Sequence, residues 1–104
     1  MTRSITEHEA DVVRWMLRNA CRTGNLQHLV ATVAQLRVVP GCDCASIDFR
    51  ESEESDHPLA DASAPGGGLI LWGTEDSIGS LEMFCFDEPR SHLPGIETLQ
   101  PSLP

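Results

Sequence analysis

Leu69-Ile70-Leu71-Trp72-Gly73 and Ser80-Leu81-Glu82-Met83-Phe84-Cys85-Phe86, separated by Thr74-Glu75-Asp76-Ser77-Ile78-Gly79, decide how this chain is read. Two apolar runs joined by Thr, Asp, Ser and Gly predict two strands and the hairpin between them. Successive side chains of a strand point to opposite faces, so Leu81, Met83 and Cys85 share one face and Glu82, Phe84 and Phe86 the other. In the first strand, Leu69 and Leu71 oppose Ile70 and Trp72. Apolar groups therefore stand on both faces. One face can pack on the rest of the protein. The other, with Trp72, Phe84 and Phe86, needs a cover: the C-terminal tail, a second subunit or a partner.

Immediately upstream, residues 51–68 hold five acids, two prolines and three consecutive glycines, and they read as a loop. Such a loop is long for a compact domain, which predicts a mobile or functional segment. Gly66-Gly67-Gly68 lacks a lysine and opens no helix, so it reads as a flexible lead into the next strand and not as a phosphate cradle. Further back, Ala45-Ser46-Ile47-Asp48-Phe49-Arg50 alternates strictly and predicts a strand with Ala45, Ile47 and Phe49 inward. Val38-Val39-Pro40-Gly41 is a short apolar stretch stopped by a turn dipeptide.

The N-terminal third is helical in pattern. Thr6 followed by Glu9 matches a capping box, and Ser4 with Glu7 offers the same box one step earlier. Glu7, Glu9 and Asp11 precede Arg14, Arg18 and Arg22, an order that suits the helix dipole. Val12, Val13, Met16, Leu17 and Ala20 form one apolar stripe with Trp15 beside it. Thr23-Gly24-Asn25 predicts the end of this helix and a cap for a second, over about Leu26–Leu36. At the other end, Pro89, Pro94, Pro101 and Pro104 predict a tail that lies extended across the domain, anchored by Leu93, Ile96 and Leu99.

The expected architecture is a single α+β domain of 104 residues. A helical hairpin over about residues 5–36 packs on a small, three- to four-stranded, mainly antiparallel sheet over about 38–87, followed by a proline-rich tail from 88 to 104. No run of apolar residues is long enough for a membrane helix. The first residues lack the apolar core of a signal peptide, which predicts a cytoplasmic protein.

Charge is distributed unevenly. Residues 51–104 carry eleven carboxylates against Arg90, a net of −10; residues 1–50 carry six arginines against five acids, a net of +1. A field of that kind disfavours nucleic acid and anionic membrane and favours a basic protein.

Catalytic signals are weak. No Gly-x-Ser-x-Gly elbow is present, tyrosine is absent, and the acidic pairs Glu53-Glu54 and Glu75-Asp76 read as solvated surface. Cys42-Asp43-Cys44 could chelate a metal, with Cys21, Cys85 or a histidine completing the set. Its one-residue spacing, the absence of a second pair and the neighbouring carboxylate favour small residues in a tight turn. No catalytic residue or cofactor is expected. The metal reading rests on Cys42 and Cys44 alone.

The segment Val38-Val39-Pro40-Gly41-Cys42-Asp43-Cys44-Ala45-Ser46-Ile47-Asp48-Phe49, with Gly68-Leu69-Ile70-Leu71-Trp72 and Leu81-Glu82-Met83-Phe84-Cys85-Phe86-Asp87, resembles a set of small uncharacterised bacterial proteins. These place a Gly-Cys-x-Cys turn before a strand, follow it with a strand pair ending in Leu-Glu-x-x-x-x-Asp, and close on Leu-Pro, as Leu93-Pro94 does here. The likeness covers about residues 36–101. Asp43 departs from the additional Gly or Cys that members often carry at the turn. The resemblance implies the architecture and no activity.

The function expected from these residues is non-enzymatic binding of a basic protein, as in an immunity or inhibitor protein that neutralises a basic toxin or nucleic-acid enzyme. Its contact patch would be Trp72, Phe84 and Phe86, ringed by Glu75, Asp76, Glu82, Asp87 and Glu88. The alternatives are a metal- or thiol-dependent protein using Cys42 and Cys44, and a homodimer that buries the aromatic face against itself.

Overall fold

In the computed structural model, residues 2–22, 26–39, 46–85 and 93–101 are described. The first helix, α1 (Glu7–Asn19), starts at the expected capping box. Thr6 Oγ1 accepts from the Glu9 amide at 3.1 Å, and Glu9 Oε1 accepts from the Thr6 amide at 2.9 Å. Arg3 grips both oxygens of the same carboxylate, at 2.9 and 2.8 Å. It does so from a two-residue strand, β1 (Arg3–Ser4), which the sequence pattern did not announce. β1 pairs antiparallel with β2 (Arg37–Val38) in a small sheet of its own.

The Arg3 bonds, with help from the Thr6 amide, lower the Glu9 pKa from 4.5 to about 2. A depressed folded-state pKa means that the ion pair's contribution is complete above the unfolded value and is lost as pH falls through the folded one. Acidification from about pH 5 to about pH 2 should therefore shrink the stability gap between the native chain and Glu9→Gln. Urea unfolding at several pH values measures that gap; a gap constant over the interval would refute the linkage.

One face of α1 buries Ala10, Val12, Val13, Met16 and Leu17, with Trp15 partly buried at the edge of the stripe. Past its end the backbone straightens and joins the sheet. The Arg22 amide donates to the Leu59 carbonyl at 2.9 Å, and the Asp61 amide to the Ala20 carbonyl at 3.1 Å. Thr23-Gly24-Asn25, the expected helix stop, lie outside the described residues.

The second helix is shorter than its apolar pattern predicts. α2 (Gln27–Val30) makes one turn, and a 3-10 turn follows at Val33–Gln35. Val30, Thr32 and Val33 are β-branched and lower helix propensity. The Thr32 hydroxyl and amide both donate to the Leu29 carbonyl, at 2.7 and 3.0 Å, closing an i−3 turn where an α-helix would continue. The packing face survives the change, since Leu26, Leu29 and Val33 are all buried.

Among the described residues the larger sheet has five strands, every pair antiparallel, in the order β3 (Ile47–Asp48), β6 (Ile78–Cys85), β5 (Gly67–Gly73), β4 (His57–Ala64), β7 (Gln100–Pro101). The expected hairpin is β5–β6, and Ile47 and Phe49 are buried as expected. The fourth and fifth strands correct the reading. β4 runs through the middle of the segment expected to be a loop, taking eight of its residues. Its inward residues Leu59, Ala60 and Ala62 are fully buried, and alanines there let α1 approach closely. Pro58 is accommodated beside a bulge between Pro58 and Ala60. The glycine-rich stretch is no flexible lead. Pro65 and Gly66 close a two-residue hairpin loop, and Gly66 takes the positive φ of 75° that the third position of a type II turn requires.

Residues 51–56 do form a loop, and Arg50 pins it. The guanidinium meets Asp56 at 3.1 and 2.7 Å and Ser77 Oγ at 3.1 Å, while Asp56 accepts from the Glu53 amide at 2.9 Å. These bonds hold the Asp56 carboxyl below its ordinary range.

In the tail, a 3-10 turn at Ile96–Thr98 leads into β7, which pairs with the β4 edge at Ala62 and Ser63. Leu99 is buried and Leu93 packs partly against the core, but Ile96 is 39% exposed and stands outside the buried cluster. His8 Nε2 lies 3.3 Å from the Leu93 carbonyl. The described tail therefore docks against α1 and the sheet edge. No helix among the described residues is long and apolar enough to cross a membrane.

Candidate interaction surface

Strand register assigns the side chains of the central sheet to two faces. Ala60, Leu71 and Leu81 stand in one row, and Ala62, Leu69 and Met83 in the next, facing the helices. The opposite face carries three rows: Pro58, Trp72 and Ser80; Asp61, Ile70 and Glu82; Ser63, Gly68 and Phe84. Phe84 is 38% exposed, and Ile70 and Trp72 are partly exposed.

Gly68 shapes the Phe84 end of this face. A β-carbon at Gly68 would fall 2.5 Å from Phe84 Cζ, so the ring lies across the position a side chain would fill. The missing side chain is the seat of the aromatic ring. At the other end, Trp72 Nε1 donates to Glu82 Oε1 at 3.0 Å. Glu82 was expected only as part of a charged rim; it is also the acceptor for the indole. A hydrogen-bonded indole is held in one orientation.

Asp61, buried to 8% exposure on this face, is paired with Arg22 arriving from the end of α1. The sequence does not disclose this pair, because the composition around Asp61 is that of a loop and the spacing of Arg22 continues a helix row. Of that row, Arg14 meets Asp11 at 3.4 Å, and Arg18 is exposed.

The structure divides the predicted ring. Trp72, Glu82 and Phe84 come together on the outer face. Glu75 and Asp76 sit in the β5–β6 turn, at the end of β6 away from Phe84. There the Thr74 amide donates to the Ser77 carbonyl at 2.8 Å, and the Thr74 hydroxyl accepts from the Asp76 and Ser77 amides. His28 Nε2 reaches the Glu75 carbonyl at 2.6 Å, tying this turn to α2. Glu75 and Asp76 line a shallow hollow with Glu53, Ser55 and His57. Phe86, Asp87 and Glu88 lie outside the described residues, as do Cys42 and Cys44.

Cys21 and Cys85 are free thiols, both partly buried. Cys21 Sγ donates to the Leu17 carbonyl at 2.9 Å, and burial raises its pKa, which disfavours the nucleophilic thiolate. Among the described residues, no three His, Cys, Asp or Glu side chains are grouped to hold a metal ion.

Set against known protein families, curated proteins and solved structures, the chain matches none of them.

Proposed function

We propose that this chain is a non-enzymatic binding module that receives a basic protein on the outer face of its five-stranded sheet. In this reading it works in the cytoplasm, as an immunity- or inhibitor-type protein against a basic toxin or nucleic-acid enzyme. The observation that carries it is Phe84, 38% exposed and seated in one face with Trp72 and Glu82, in a chain of net charge −9. Aromatic groups at the centre of a contact supply most of its energy, and surrounding charge sets encounter rate and partner choice. Self-association through this face would bring like charges together, which disfavours a homodimer.

Pull-down at low ionic strength, using the native chain and a Trp72→Ala/Phe84→Ser double variant as bait, tests the proposal. The native bait should retain basic proteins that leave at roughly half-molar salt, where screening is nearly complete, and the variant should retain none of them. Equal retention by both baits refutes the assignment. Concentration-dependent sedimentation that vanishes in the double variant would favour the homodimer. A stoichiometric metal lost on Cys42→Ser would favour the metal- or thiol-dependent reading.

A further inference from the structure

Arginine and lysine are not equivalent on a surface built like this one. Glu82 is exposed, and Trp72 is its one hydrogen-bond partner among the described residues. A carboxylate has about four lone-pair sites, so the indole bond leaves room for a bidentate donor. The two aromatic groups flank that carboxylate. Phe84 stands two residues further along β6, and Trp72 stands opposite Ser80, two residues back. Ile70, directly across from Glu82, supplies an apolar floor. The neighbouring acid Asp61 is already paired with Arg22, so among the described residues the charge of this row left without an ion pair is that of Glu82.

We infer that Trp72, Glu82 and Phe84 form a receiving site for one arginine side chain of the basic partner, a deepening that rests on the reading above. A planar guanidinium can pair with the Glu82 carboxylate through two N–H groups and stack on the aromatic faces beside it. A lysine ammonium satisfies the charge but lacks both the fork and the plane. Glu82 thus acts as a specificity residue, and the Trp72 hydrogen bond sets the orientation in which its carboxylate is offered.

The experiment titrates the full chain with two short peptides of equal length and charge, one arginine-rich and one lysine-rich, at low salt. The indole N–H resonance of Trp72 is followed by NMR, with Trp15→Phe assigning the two indoles. The arginine peptide should shift the Trp72 resonance and bind about tenfold more tightly than the lysine peptide. Glu82→Gln, which keeps an oxygen for the indole, should bring the two affinities within about twofold. Equal affinities with an unmoved Trp72 indole overturn the arginine site and leave the basic-partner reading standing. An arginine preference that survives Glu82→Gln also overturns the site. If neither peptide binds, both readings fall.

Discussion

Leu71→Ala is expected to cost about 2–5 kcal/mol of folding stability, a large share of the roughly 5–15 kcal/mol that a domain of this size possesses. Leu71 is fully buried in the middle strand of the larger sheet, with Ala60 opposite on one side and Leu81 on the other. α1 packs on β4, and Leu71 belongs to the same buried cluster as the apolar residues of α1, so a vacancy there is closed off from solvent. Ala60, equally buried, poses the converse case. Ala60→Leu places extra methyl groups in a filled space and should cost about 1–3 kcal/mol. Because the two residues are directly paired, the swap Ala60→Leu/Leu71→Ala moves bulk across one row instead of adding or removing it. The double variant should be clearly more stable than the sum of the single losses implies. Denaturant unfolding of the four proteins measures the coupling. Strict additivity would show that Ala60 and Leu71 do not share one packing space.

The same alanines explain why β4 was not legible in the sequence. Ala has low strand propensity, and Pro58, the acids and the glycines around it all resemble loop composition. The alternation of Ala60, Ala62 and Ala64 with Asp61 and Ser63 was present, but it reads as a strand only once the covering helix is known. Pro65-Gly66 carried the stronger signal, since proline followed by glycine specifies a turn type more closely than it specifies flexibility. α1 was legible because its capping box, charge order and apolar stripe agree with one another. α2 kept its buried face and lost its regularity, because apolar periodicity records which side is inside and not whether an α or a 3-10 turn delivers it. The pairings made by residues 20–22 and 100–101 are backbone hydrogen bonds, which leave little pattern in side chains.

The candidate site was legible in part for a related reason. Alternation alone sorted Trp72, Glu82 and Phe84 to one face of their strands. The indole–carboxylate bond joins residues on neighbouring strands and needs the register in which Ile70 faces Glu82. The neutralisation of Asp61 needs the end of α1 to reach the edge of β4. Charge alone groups Glu75 and Asp76 with the aromatic patch, whereas the Thr74 turn holds them at the tip of the hairpin. Composition thus located the acids, while backbone pairing decided which of them stands beside an aromatic ring.

Gly68→Ala should show that pairing directly, because it adds one carbon beneath the Phe84 ring. The new atom would lie 2.5 Å from Phe84 Cζ and 2.9 Å from the Ala62 carbonyl oxygen. Either the ring lifts or the strands shift, and the expected loss is about 1–3 kcal/mol. The two contacts can be separated by making the same change in a Phe84→Ala background. If the ring is the main obstacle, Gly68→Ala should cost much less there, and the removal of a flexible glycine from a strand should offset part of what remains. In the native background, the lifted ring should also weaken the response of the Trp72 indole to arginine-rich peptide while leaving the overall charge untouched. A penalty for Gly68→Ala that is the same with and without Phe84 would place the strain in the backbone of β4. The glycine would then serve the sheet and not the aromatic surface.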